Sequence, residues 1–438
     1  MLFENLVEKT SQDPLRPVMP EAVANVITSA AAFGDGTLHE ALKWARAHHP
    51  LSLAETEKFH PLWVVTKHAD LRAFSTRPDL FLSGATSITL LEREGHRLMR
   101  EMLAGRSEPM RIIIQMDPPD HPVYRAVIWE KFTPRQIATT TEALRLIARE
   151  FVERLAATGG ECDFAEIVSF PYPMRVIMSL LGVPAEDEPK LLKLAKQLQG
   201  VQDPDISRTG EAQSGADAAK TTIAVVQEIF AYFAEIKADR LKHPRDDLAT
   251  LLAQAEINGQ PMPTLESLSY YMVLATAGHD TTSAASGGGV IELARSPSEF
   301  AKVKADPKLI QTMVDESVRW VSPSKLTMRQ ASQDIEFCGR AIKAGDHVGL
   351  AWASGNRDEE VFEDPYTFKV DRFPNRSLGF GWGPHVCIGQ HLARLEMRVL
   401  FEEFFKRVES LELAAEPRSI ASFTVSGPKY VPIRFKMN

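Results

Sequence analysis

The sequence predicts a mainly α-helical protein with small β-sheets, folded as a single large domain over residues 1–438. Three observations carry that expectation. Apolar residues recur at intervals of three and four from about 136 to 260, as at Leu144, Ile147, Phe151, Val152 and Leu155, which is the stripe of amphipathic helices. Strand-like segments are short and do not alternate regularly with helices, as a doubly wound sheet would demand. No internal repeat or linker interrupts the chain, and 44% hydrophobic with 25% charged residues over 438 positions is enough for a sizeable core.

In chain order, the opening MLFENLVEKTSQDPLRP mixes acids, lysine and proline and carries neither an apolar signal core nor a cleavage motif. Nowhere do 18 apolar residues run together, so the expected location is cytoplasmic, with no membrane partner. His60-Pro-Leu-Trp-Val-Val-Thr reads as a short strand, because β-branched and aromatic residues follow a proline. Between Val201 and Lys220 the run QDPDISRTGEAQSGADAA has almost no large apolar residue, which predicts a mobile loop between two helices. Pro263-Thr264 then opens a helix running through Tyr270 to Arg295, with Thr264 as its expected N-cap; about 30 residues would span about 45 Å, enough to cross the molecule. Asp334 to Val348 alternates short apolar segments with turns at Gly339-Arg340 and Ala344-Gly345-Asp346, a small sheet. The net charge of −8 gives no basis for nucleic-acid binding, and a monomer is expected.

The three cysteines, Cys162, Cys338 and Cys387, are an odd number without CxxC spacing, so neither a disulfide framework nor a common zinc module fits. Cys387 is set apart by its surroundings. Leu378-Gly-Phe-Gly-Trp-Gly-Pro-His-Val-Cys-Ile-Gly-Gln-His-Leu-Ala-Arg places glycines before it and an amphipathic helix after it. A helix N-terminus offers unsatisfied N–H groups that favour thiolate over thiol. Gly381, Gly383 and Gly389 let the backbone turn tightly and approach a flat object closely. Together these features point to ligation of a haem iron. A buried small cysteine beside a glycine turn is the bland alternative. Zinc held by His385, Cys387 and His391 is a weaker one, because a fourth ligand is missing.

FxxGxHxCxG, read here as Phe380, Gly383, His385, Cys387 and Gly389, resembles the haem-binding loop of the cytochrome P450 monooxygenases. Ala277-Gly-His-Asp-Thr-Thr, inside the long helix, resembles the family's oxygen-binding AGxDTT motif. Gly278 lowers local helix stability there, and the Thr281 hydroxyl can bond back to the preceding turn, so a groove is expected. The resemblance implies that Thr281 steadies bound oxygen and Asp280 relays protons to it, while His279 is a neighbour without a metal role. It makes Glu316-Ser-Val-Arg319, with Arg372, a buried structural lock rather than part of the chemistry. His121, Arg125, Arg329 and His385 occupy the places of partners to the haem propionates, and Ala277, Gly278, Phe380, Gly381 and Gly389 would border the cofactor.

The likeness runs from about Asp117 to Val425, and Phe373-Pro-Asn-Arg-Ser-Leu-Gly-Phe-Gly-Trp-Gly with Arg319-Trp-Val-Ser-Pro is similar to the bacterial terpineol-hydroxylating branch. It implies haem b, buried between the long helix and the cysteine loop, with an axial thiolate from Cys387 and O2 as co-substrate. The chain carries no dinucleotide fingerprint between strand and helix and no ferredoxin-type cysteine cluster, so electrons are expected from a separate iron-sulfur ferredoxin served by a NAD(P)H-dependent reductase. Arg394, Arg398, Lys406 and Arg407 are expected to attract its acidic surface. By family geometry the substrate pocket takes Val273, Thr276 and Ala277 from the helix, Lys325 and Leu326 from the stretch Pro323 to Met328, and loops around Leu90 and Val201, which suits a small hydrophobic terpenoid or alkylarene. Lys325 either meets a substrate carboxylate or, the favoured alternative, snorkels outward or pairs with an acid. Two rivals stay open: a haem-thiolate enzyme that uses peroxide or needs no reductase electrons, and a non-catalytic haem carrier or sensor.

Overall fold

A computed structural model of the chain describes Phe3 and residues 13–438; the rest of the N-terminal stretch read above for an export signal lies outside the described residues. Helices dominate, and the expected periodicity becomes burial: in the helix Thr141–Ala156, Leu144, Ala148, Phe151, Val152 and Leu155 face inward. They pack with Tyr172, Val176, Phe233, Tyr271, Leu400 and Phe404, drawn from four further helices, in the main apolar core. Each such side chain contributes about 1.5–3 kcal/mol on burial. Among the described residues no helix is long and apolar enough to cross a membrane.

The helix Thr264–Arg295 is the axis of the molecule, 32 residues and therefore about 48 Å long. Thr264, expected as its N-cap, is instead the first helical residue; Pro263 stands at the cap and no side chain closes the end. Glu266 in the first turn compensates, accepting from Arg111 at 2.7 Å. Further along, Gly287-Gly-Gly lets a second helix, Ile310–Val321, come close: a Cβ on Gly288 would stand 2.2 Å from Val321 Cγ2. That contact places Glu316 and Arg319 against the core.

A five-stranded sheet covers the other side, in the order Leu51–Ala54, Leu62–Val65, His347–Leu350, Thr327–Ala331, Phe81–Leu82. Leu62–Val65 is the strand expected after His60-Pro, and Ile335–Phe337 pairs with Arg340–Ile342 in the hairpin expected between 334 and 348. Register opposite Val348 fixes Arg329 in the middle of the Thr327–Ala331 strand.

The segment 201–220 begins as the expected loop between two helices, Glu188–Gln199 and Gly215–Lys242, but its start is anchored. Val201 and Asp203 are buried, and Asp203 accepts from Lys429 Nζ at 2.7 Å and from the Ala421 N–H at 2.8 Å. The helix Gly215–Lys242 already begins inside it. Low apolar content suggests freedom, whereas the buried Asp203 carboxylate ties the start of the segment to the C-terminal region.

Candidate active site

The loop before Cys387 is shaped by its glycines. Gly381 and Gly383 have φ of 71° and 74°, and a Cβ on Gly383 would lie 2.5 Å from the Ser75 carbonyl oxygen, so both conformation and space demand glycine there. The Cys387 N–H donates to the Phe380 carbonyl at 2.9 Å, closing the loop, and the helix Gln390–Arg407 starts three residues on. Chain surrounds the cysteine while its surface stays exposed, the combination of a group that lines an internal space. Burial pushes its thiol up, the larger effect against the pull of the Gly389 and Gln390 N–H groups and of Arg125 and Arg394. The N–H groups at the helix terminus favour the thiolate, as expected, but burial outweighs them. Among the described residues no three His, Cys, Asp or Glu side chains gather as a metal cage, so His385, Cys387 and His391 do not converge as a zinc site would need.

On the otherwise buried central helix, Val273, Thr276, Ala277, Gly278 and Thr281 are the accessible positions of the middle turns. Val273, Ala277 and Thr281 repeat every four residues, so they share one face. The Thr281 hydroxyl donates to the Ala277 carbonyl at 2.9 Å, the back-bond expected of it. The helix nevertheless continues unbroken through Gly278. A Cβ at Gly278 would lie 3.3 Å from Ile177, so this glycine admits the neighbouring helix Pro171–Leu181 rather than opening a groove for the cofactor. Asp280 is buried beside the strip, its Oδ1 2.6 Å from His279 Nδ1.

Four basic groups meet at one edge of the cysteine loop. His121 and His385 rings stand 4.2 Å apart, Arg125 donates to the Val386 carbonyl at 2.7 Å, and Arg329, 5% exposed, donates to the Met328 carbonyl. Burial holds His385 down to about 2 and Arg329 down to about 10, with Arg329, His121 and Arg125 adding repulsion on His385. Among the described residues no carboxylate forms an ion pair with Arg125 or Arg329. Asp117, the acid that acts on Arg329 and His121, is occupied with the Ser83 and Gly84 N–H groups. His121 Nε2 is buried and without a partner.

Glu316 and Arg319, both fully buried, pair at 2.7 Å, and Arg372 reaches Glu316 at 3.0 Å. Arg319 also donates to the Asn356 and Pro365 carbonyls and Arg372 to that of Glu363, so both cations are bound on several sides.

The remaining expectations fare differently. Leu326, Leu90 and Val201 are almost inaccessible, and Leu326 packs with Leu62, Leu90 and Met328 in an apolar cluster rather than lining an open chamber. Lys325 fits neither alternative: it is buried, it donates to the Ser426 carbonyl at 2.9 Å, and no acid pairs with it among the described residues. Burial, helped by Arg357, lowers its pKa to about 7. A lysine whose folded value lies below its unfolded one binds fewer protons when folded between about pH 7 and 10, so stability rises with pH there. Lys325→Met is therefore expected to gain stability over the parent at pH 6.5 and to lose that advantage by pH 9.5, at up to about 1.4 kcal/mol per pH unit, as read by urea unfolding at both pH values. The four basic residues expected to meet a ferredoxin are all engaged: Arg394 with Asp315, Arg398 with Glu402, Lys406 with Glu403 and Arg407 with Glu153.

Two buried contacts went unread in the sequence, the His279–Asp280 bond and Thr282 donating to Glu396 at 2.8 Å. Glu396, which burial pushes well above the usual carboxylate range, sits on the apolar face of Gln390–Arg407 with Leu392, Val399 and Leu400. An acid inside a helical apolar stripe was the available signal.

A model of the cytochrome P450 family matches residues 96–424. The chain belongs to the cytochrome P450 family. Cytochrome P450-terp of Pseudomonas sp is 42% identical over 96% of this chain and 99% of its own length, and linalool 8-monooxygenase of Pseudomonas putida is 33% identical over 84% and 88%. The solved structure of CYP108D1 from Novosphingobium aromaticivorans superposes with a TM-score of 0.88 at 36% identity, covering 96% of this P450 and all of that chain. The protein is accordingly an oxidoreductase of the P450 monooxygenase class, and its cofactor is haem bound through a cysteine thiolate.

The residues in place fit that group. Four gathered basic side chains lacking a paired carboxylate, with an orphaned buried His121 nitrogen among them, call for a ligand that brings its own anionic oxygens, as two propionates would. A Cβ at Gly389, where φ is unstrained, would stand 3.9 Å from the Cys387 sulfur, so this glycine keeps clear the space beside the thiol.

Proposed function

We propose that this P450 inserts one oxygen atom of O2 into a C–H bond of a small hydrophobic substrate, a terpenoid or alkylarene, and that Cys387 would hold the haem. The observation that carries this reading is the accessible strip Val273, Thr276, Ala277 and Thr281 on a helix buried elsewhere, with the Asp280 carboxylate at its margin. Haem held by a thiolate supplies the activation of O2 for C–H hydroxylation. His121, Arg125, Arg329 and His385 would hold its propionates, and the helix strip would keep the reacting carbon close while excluding water. Asp280 takes up and releases protons, and the Thr281 hydroxyl, already donating to Ala277, presents its lone pairs as acceptors. Val273, Thr276 and Ala277 offer small or apolar surface, which favours compact hydrocarbon skeletons, and the likeness to P450-terp and linalool 8-monooxygenase supports a terpenoid.

Electrons come from a separate ferredoxin and its NAD(P)H-dependent reductase. Because the four basic residues of the Gln390–Arg407 helix are tied to acids, the partner meets instead the exposed Trp129 and Trp382, each with an arginine over its ring, Arg125 and Arg72. The acid–alcohol pair Asp280 and Thr281 favours this reading over peroxide use, and the accessible strip favours it over an electron carrier. Residues 1–438 form one functional domain.

A panel of monoterpene alcohols and alkylbenzenes titrated into the ferric protein tests the substrate class. At least one is expected to move the Soret band toward the high-spin position at micromolar concentration. A flat response to the whole panel, with a shift from fatty acids or steroids, would overturn it.

A further inference from the structure

His279 is fully buried in the middle of the central helix, and its ring makes one hydrogen bond, from Nδ1 to Asp280 Oδ1 at 2.6 Å. A carboxylate only accepts, so Nδ1 carries the proton. Nε2 is buried without a partner. A buried polar atom left unsatisfied is costly, and a phenylalanine would fill the same space beside Phe170, whose ring lies 6.2 Å away, without that cost. What only the imidazole provides here is the bond to Asp280.

Helix geometry shows what that bond does. At about 100° per residue, His279 points away from the face that Val273, Ala277 and Thr281 share, while Asp280 sits about 60° from it, at its margin. Consecutive helical side chains do not normally face each other. The Nδ1–Oδ1 bond draws the Asp280 carboxylate back toward the packed side and fixes it at the seam between the accessible strip and the core. No other hydrogen bond holds that carboxylate among the described residues. The charged group that acts on it comes from another element: Lys196, which lies over the Phe170 ring at 4.0 Å and is held also by Glu166 and Asp163.

We infer that His279 is a positioning residue of this P450: its Nδ1–H holds the Asp280 carboxylate at the edge of the oxygen-binding strip, and this bond sets how reliably protons reach the reaction rather than escaping with the oxygen as peroxide. The inference rests on the reading of Asp280 as the proton relay.

Three variants of the haem-loaded protein test it, with its reductase chain and a substrate found by the titration above: His279→Phe, which keeps the ring and removes the donor; His279→Asn, whose amide N–H replaces Nδ1–H; and Asp280→Asn. His279→Phe should lower product per NADPH about tenfold and release peroxide in its place, whereas His279→Asn should stay within about twofold of the parent. A second readout needs no turnover. In ¹⁵N-histidine-labelled ferrous-CO protein, one of the 12 histidines should show a low-field Nδ1–H proton that is absent in His279→Phe and moves in Asp280→Asn. Unchanged coupling in His279→Phe, coupling in His279→Asn as poor as in His279→Phe, or the absence of that proton resonance would each overturn the inference. If Asp280→Asn itself keeps parental turnover and coupling, the relay reading fails, and that failure is distinct from the others.

Discussion

Glu316→Ala is expected to leave little folded protein able to take up haem. The carboxylate is the common acceptor of Arg319, Arg372, the Asn375 amide and the Lys369 N–H, inside a region where Glu316 and Arg319 have no solvent contact. Removing it strands two buried guanidinium groups, and breaking a buried pair from one side costs about 3–5 kcal/mol. That is a large share of the roughly 5–15 kcal/mol by which a native domain is stable. Carbonyl acceptors on Asn356, Pro365, Glu363 and Thr367 remain, but they do not neutralise charge. Soluble yield, haem content and the thermal midpoint of any purified fraction check the expectation. A variant with a parental midpoint and full haem content would show that the carbonyls alone suffice.

Asp280→Asn carries the second large effect, on chemistry rather than stability. The amide has nearly the same shape but cannot take up and pass on a proton, and general acid–base groups are worth about 10²–10⁴ in rate. Product formation should fall at least about 100-fold, while the thermal midpoint and the substrate-induced spectral shift change little. Measuring turnover and binding on one preparation separates the two. Loss of both together would point to a structural role for the carboxylate instead.

The contrast between these positions shows what a sequence discloses. Leu144 to Leu155 announced their helix because burial on one face imposes a period, and Cys387 announced itself because a tight loop in front of a helix needs glycine at 381 and 383. Glu316-Ser-Val-Arg319, by contrast, is identical in pattern to a cheap surface pair, and only its place in the fold makes it a buried cluster. Lys325 and Asp203 went the same way: long-range partners, Ser426 and Lys429, decide where they lie, and no local spacing encodes them. Of the basic residues of the Gln390–Arg407 helix that looked like a docking face, Arg394 and Arg407 find their acidic partners, Asp315 and Glu153, on other helices, where no local spacing shows them, while Arg398 and Lys406 pair with Glu402 and Glu403 of their own helix. His279 was passed over because the motif gives that position no role, while its meaning lies in one bond and one empty nitrogen.

The claim on which everything else depends is that Cys387 holds the haem iron as a thiolate, although burial alone pushes its thiol up. The direct test is the carbon monoxide difference spectrum of the dithionite-reduced protein, measured on the parent and on Cys387→His. The parent is expected to give the red-shifted thiolate band and Cys387→His the imidazole band. A folded, haem-loaded parent with the imidazole band, or a thiolate band that survives in Cys387→His, would contradict it.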